Sequence, residues 1–228
     1  MSNTRTLSRG AACAAIALIV VFAAWASADI LDDWAKVQPP PPPELKPVKL
    51  DGATTAFLIL DMVPPQCDHN PRCAATVPKI KQLHDAARKA GAMFWYAVPG
   101  RDAKPEEVYS GFRPVGDAEW EPIQGPDKFR SGSHLEEKLK ARGIKTAIIC
   151  GHSFQGVGIG TGSALALRGF QVVIPIDCMA SEEMYQEQYA AYHLGKAATG
   201  VAPAAKAAPA PLPATLRCRR SAPVPGGG

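Results

Sequence analysis

Two short stretches of this chain hold residue types that could do chemistry. In "TTAFLILDMVPPQC" an apolar run ends on Asp61. A carboxylate at the end of a buried strand can serve as a general base. An acid there can also simply cap a turn, but strand ends are where α/β pockets lie, which favours a site. The second stretch, "GHSFQGVGIGTG" (151–162), is a Gly-rich turn that opens a helix. Backbone amides at such a turn can hold a carboxylate or a phosphate. Its spacing is not that of a dinucleotide fingerprint. Gly156 and Gly158 lead to Thr161, Gly158 and Gly160 lead to Ser163, and no P-loop lysine follows Gly156. No cofactor is expected, and the glycines let this helix pack closely on a sheet.

Cysteine chemistry offers a third candidate. "CDHNPRC" closes a short loop with the turn signal Asn70-Pro71 inside it, and Cys67–Cys73 is expected as a disulfide. The rival is a metal site of Cys67, Asp68, His69 and Cys73. It lacks the paired Cys-x-x-Cys or His spacing of zinc sites, so no metal is expected. Cys150, at a strand end, reads as a small hydrophobe, with catalysis the lesser reading. His84 reads as a partly buried structural histidine.

These residues need elements to hold them. Residues 54–61 read as a buried parallel strand, 77–91 as a helix closed by Gly91, and 92–98 as a second strand. Residues 99–130 are irregular and rich in Pro and Gly. A helix over 133–143 has Ser133 at its N-cap and Glu136 three residues on. Strands over 145–151 and 170–177 flank a helix over 155–168, and an amphipathic helix covers 182–197. Strands alternating with helices predict a three-layer α/β fold, a mostly parallel doubly wound sheet with helices on both faces. Its carboxyl edge collects Asp61, Cys150-Gly151 and Asp177-Cys178.

The ends differ from this middle. Arg5 and Arg9, the apolar run Ala11–Ala24 and Ala26-Ser27-Ala28 form the pattern of a signal peptide over 1–28, cleaved before Asp29. An uncleaved anchor is the alternative, but the run is short for a span. A periplasmic or secreted protein is expected, with no membrane contact after cleavage. Residues 29–53 form an arm with five consecutive prolines, Pro39 to Pro43, favouring polyproline II; it is a stiff spacer or a proline-motif ligand. Residues 198–228 are Ala, Pro and Gly with few large apolar residues, and disorder is expected. Setting aside Arg5 and Arg9, and the tail's Lys206, Arg217, Arg219 and Arg220, the formal charge of +4 falls to near −2 for the folded middle. Such a balance gives no case for nucleic acid. Tyr185, Tyr189, Tyr192 and His193 make a stripe at helical spacing, read as core or interface.

Three stretches together, "TTAFLILDMVPPQC", "DKFRSGSHLEEKLKARGIKTAIICGHS" and "TGSALALRGFQVVIPIDCMAS", resemble the isochorismatase-like cysteine hydrolases, which include nicotinamidases and isochorismatases. The resemblance covers roughly 44–196. It implies an Asp–Lys–Cys site, in which a thiolate at a helix start is the nucleophile. Asp61 matches the Asp. Counting back from Gly169 and forward from Gly151 puts the Cys position at Val157. The Lys position falls near Ile123 or Gln124, so Lys128 reaches the site only if that loop is rebuilt. The resemblance also implies a cis peptide near His152-Ser153, with Gly151, His152, Ser153 and Gly156 around a small-molecule ligand and backbone amides forming an oxyanion hole. The nicotinamidase metal motif has no counterpart in "YAVPGRDAKPEEV". Two functions stay open. One is a domain that has lost the Cys-dependent activity and keeps a small-molecule pocket. The other is an active hydrolase of a C–N or vinyl-ether bond with a relocated nucleophile. The family implies association of copies, with helix 182–197 as the contact.

Overall fold

The structure, a computed structural model, describes residues 29–43, 45 and 47–197. The expected signal segment and the C-terminal tail, with Cys13 and Cys218, lie outside the described residues. The chain divides into two units, Met1–Pro41 and Pro42–Gly228. In the first, the Asp29 carboxylate accepts from the amides of Leu31 and Asp32 at 2.8 and 3.2 Å, ahead of a single 3-10 turn, Trp34–Lys36.

The second unit carries the sheet. Its strands are β1 (Thr55–Leu60), β2 (Met93–Ala97), β3 (Trp120–Glu121), β4 (Thr146–His152), β5 (Gln171–Val173) and β6 (Met179–Ala180). Their order is β3-β2-β1-β4-β5, with β6 also on β4, and every pairing is parallel. Every residue of β1 is buried, because both faces of a parallel sheet are covered. Phe57 and Ile59 enter one core, while Ala56, Leu58 and Leu60 enter the other, by the two-residue alternation of a strand.

Helices cover both faces, so the three-layer doubly wound expectation holds. After β1 come two single turns, α1 (Pro64–Cys67) and α2 (Pro71–Ala74), and then α3 (Val77–Lys89). Ile80, Leu83, His84 and Ala87 of α3 are buried at the spacing of one helical face, and Gly91 ends the turn beyond it at φ 78°. The remaining helices are α4 (Leu135–Ala141), α5 (Ile159–Leu167) and α6 (Met184–Ala197). Leu135, Leu139, Leu165 and Ala190 place them on the second face. Among the described residues no helix is long and apolar enough to cross a membrane.

Several boundaries move from the sequence reading. Helix α4 starts at Leu135, not after a Ser133 cap, because the buried Glu121 carboxylate accepts from the His134 amide at 2.9 Å. Ser133 Oγ still accepts from the Leu135 amide at 3.2 Å, while Glu136 turns outward to Lys140 and Arg168. The strand expected over 170–177 stays in the ladder only for Gln171–Val173. Pro175 has no N–H to give a ladder, and the chain rejoins β4 as β6. Helix α6 begins at Met184 rather than at 182. The irregular 99–130 segment hides β3, which pairs Tyr96 with Trp120.

Candidate functional site

Asp61 follows β1 directly, at the carboxyl edge of the sheet. Its amide donates to the Ala97 carbonyl at 3.0 Å, and its backbone sits at φ 56°, a left-handed conformation costly for a residue with a Cβ. The residue is 8% exposed. Both carboxylate oxygens accept from Lys128 Nζ at 2.9 Å, and the same ammonium donates to the Ile123 carbonyl at 3.0 Å. An ammonium has three protons, so Lys128 is fully engaged. Burial pushes the Asp61 carboxyl up to about 6, and the Lys128 charge holds it from rising further. Burial also lowers the Lys128 ammonium, while Asp61 opposes that shift.

Lys128 reaches the strand end on the condition set by the sequence, a rebuilt loop. Gly125, at φ 85°, turns the chain so that Pro126–Lys128 doubles back. The ammonium therefore ends on the carbonyl of Ile123, where the lysine had been looked for. Gln124 is exposed and gives its carbonyl to Arg130 at 3.1 Å. The loop is pinned to the start of α5. Thr161 Oγ1 donates to the Pro126 carbonyl at 2.9 Å and accepts from the Lys128 amide at 3.3 Å. A Cβ on Gly160 would stand 2.6 Å from that same carbonyl, so only glycine lets the loop lie there.

The turn after β4 completes the site. Gly151, at φ 145°, lies so close to β1 that a Cβ would be 2.0 Å from the Leu60 carbonyl. The His152-Ser153 peptide is cis. The amides of Gly156 and Gly158 both donate to the Ser153 carbonyl, at 3.1 and 3.2 Å, which makes Phe154–Gly158 a wide π-type turn before α5. Ser153 Oγ lies 2.7 Å from where a Cβ on Gly156 would sit. Val157, 5% exposed, belongs to the same apolar cluster as Ile123, Phe154, Leu165 and Met179. The Ile123 of that cluster is the residue whose carbonyl accepts from Lys128. Cys150 is fully buried in the opposite core with Cys178, so its thiol faces away from that cluster.

His152 does not turn toward Asp61. Its Nε2 lies 3.4 Å from Glu182 Oε1 and 3.4 Å from Asn70 Nδ2. Asn70 is buried inside the loop closed by the Cys67–Cys73 disulfide. Its Oδ1 caps α2 by accepting from the amides of Arg72 and Cys73, and its Nδ2 reaches the Ser181 carbonyl at 3.0 Å. Sequence reasoning saw Asn70 only as a turn residue, since His152, Ser181 and Glu182 lie 82, 111 and 112 positions away. The disulfide takes both thiols that the rival metal reading required. Among the described residues no three His, Cys, Asp or Glu side chains stand where they could hold a metal. A cleft of about 240 Å³ opens elsewhere, lined by Arg72, Thr76, Lys79, Ile176, Asp177 and Glu187. It includes neither Asp61 nor Val157, and the chemistry points to the strand end instead.

A sequence model of the isochorismatase domain matches residues 55–205. No curated protein matches the chain. Among solved structures, an isochorismatase-like hydrolase from Alkaliphilus metalliredigens superposes with a TM-score of 0.55 at 16% identity, over 62% of this chain and 90% of that one. A nicotinamidase from Bacillus subtilis gives 0.52 at 17% identity, over 64% and 97%. N-carbamoylsarcosine amidase from Thermoplasma acidophilum gives 0.53 at 20%, over 62% and 93%. At these identities the structural likeness speaks for the fold.

Proposed function

We propose that this chain, which belongs to the isochorismatase family, is an exported domain that has lost the Cys-dependent hydrolysis and keeps a pocket for a small carboxylate or amide. The observation that carries the reading is Val157. It occupies the position counted for the nucleophilic cysteine, and its side chain is buried among apolar neighbours. An isopropyl group has no lone pair to attack a carbonyl and no proton to give Asp61. The amides of Gly156 and Gly158 are already given to the Ser153 carbonyl, so ligand binding would rest on the turn's other backbone amides, which do not depend on a thiol.

Asp61 and Lys128 support the second reading, an active hydrolase of a C–N or vinyl-ether bond. A buried, strained carboxylate held against a cation is costly to keep without a use. Water or a relocated side chain would then be the nucleophile.

A turnover screen of amides and vinyl ethers, with wild type and Asp61→Asn, separates the two. The binding reading expects no turnover from either protein and saturable binding of a small carboxylate or amide to wild type. Turnover by wild type with its thiols alkylated, lost in Asp61→Asn, would establish the hydrolase reading instead.

A further inference from the structure

The Asp61–Lys128 pair does not use the polar cluster on the other side of the Gly151–Gly158 turn. There, one ring nitrogen has two partners with opposite demands. His152 Nε2 is 3.4 Å from Asn70 Nδ2, which can only donate. It is also 3.4 Å from Glu182 Oε1, which as a carboxylate can only accept. A bare Nε2 satisfies Asn70, and a protonated Nε2 satisfies Glu182. The Asn70 amide has two protons but three acceptors in reach: the Ser181 carbonyl at 3.0 Å, Glu182 Oε2 at 3.3 Å and the ring nitrogen. The protonation of Nε2 decides which acceptor goes without.

We propose that His152 is a proton-operated latch between the cis turn and the segment leading into α6. With the ring neutral, Asn70 donates to Nε2, and Glu182, 62% exposed at its side chain, is free to swing into solvent. With the ring charged, Nε2–H grips Glu182 Oε1, and both Asn70 protons go to Ser181 and Glu182. Residues 181–182 are then drawn onto the turn.

The surroundings suit such a device. The His152 side chain is 11% exposed, so each hydrogen bond it makes is little diluted by water. The charged groups facing it are Glu182 and Glu187 from the α6 side. Arg72, from α2, is committed to Glu187. Ser181 ties the same segment to the turn by donating from Oγ to Gln155 Oε1 at 2.5 Å, and its amide donates to Glu187 at 3.0 Å. The disulfide loop fixes Asn70 from behind. Burial lowers the ring below its ordinary 6.5, and Glu182 partly offsets this, so the latch closes in mild acid. It belongs to the turn itself and does not depend on whether the turn binds a ligand.

An NMR titration of the ring and of the Ser153–Gly158 amides tests this in the full chain. The chain has five histidines, so His152 is assigned by its loss in His152→Gln. The wild-type ring is expected to titrate below 6.5, with the turn amides shifting at the same midpoint. Glu182→Gln, at an exposed position, should lower that midpoint by about half a unit, the size of a partly exposed ion pair. Asn70→Ser keeps a helix cap but loses the reach to the ring, and should raise the midpoint. Turn amides that ignore the ring's titration, or a midpoint unmoved in Glu182→Gln, would overturn the latch.

Discussion

At the scale of residues, the structure places a buried Asp61–Lys128 pair at the strand end, and the proposed reading sets Val157 beside it at the family's cysteine position. Lys128 is wholly buried, and its only charged partner among the described contacts is Asp61. Lys128→Met leaves a buried carboxylate alone, and the expected loss is about 3–5 kcal/mol in urea unfolding near neutral pH. Asp61 is raised above its unfolded value of 3.8 to about 6. A carboxyl raised in this way contributes stability that is complete below the unfolded value and lost as pH rises through the folded one. Lys128→Met removes the charge that opposes the shift, so its deficit should be larger at about pH 7 than at about pH 5. Equal deficits at the two pH values would contradict this. Val157→Cys places a thiol in the apolar cluster of Ile123, whose carbonyl Lys128 binds. Alkylation of that thiol by iodoacetamide should rise as pH passes through about 6, where Asp61 loses its proton and can accept one. The inflection should vanish when Asp61→Asn is added.

At the scale of elements, short segments do the positioning. The Cys67–Cys73 bridge spans six positions and holds Asn70 between α1 and α2. Replacing both cysteines by alanine should cost about 2 kcal/mol from loop entropy. The same change should speed hydrogen exchange at Arg72 and Cys73, whose amides Asn70 caps. Normal protection there would show that the loop stands without its bridge. The long buried strands were legible in the sequence because an apolar run between breakers has one reading. The ends of α4 and β5 were not. Glu121, 13 positions before His134, displaces the Ser133 cap, and β6 resumes the ladder on β4, and both contacts exist only once the sheet has formed.

At the scale of the whole molecule, α6 presents Tyr185, Tyr189 and Tyr192 at 62, 48 and 46% exposure, beside the exposed Met184. Apolar area of this kind, at helical spacing, suits contact with a second copy. Light scattering at micromolar concentration is expected to give a mass above 24.1 kDa for the full chain, and Tyr189→Glu should return it to the monomer. A monomer from the start would remove this surface from consideration. Mass spectrometry of exported protein is expected to place its first residue at Asp29; a retained Ala11–Ala24 run would favour the anchor.

The sequence by itself determined the layer architecture, the strand that delivers Asp61, the Cys67–Cys73 loop and the valine at position 157. Each follows from a local pattern: an apolar run, a cysteine spacing, or a count between glycines. Only the tertiary structure decided that Lys128 reaches Asp61 and that His152 turns to Asn70 and Glu182. Those contacts join residues 67, 82 and 30 positions apart along the chain. Their geometry depends on a glycine turn at 125 and on strand ends that meet only after the sheet forms. Hydrophobic periodicity reports which face of an element is buried. It carries no information on which loop folds back over the strand end, because that choice rests on backbone turns and a few long-range hydrogen bonds.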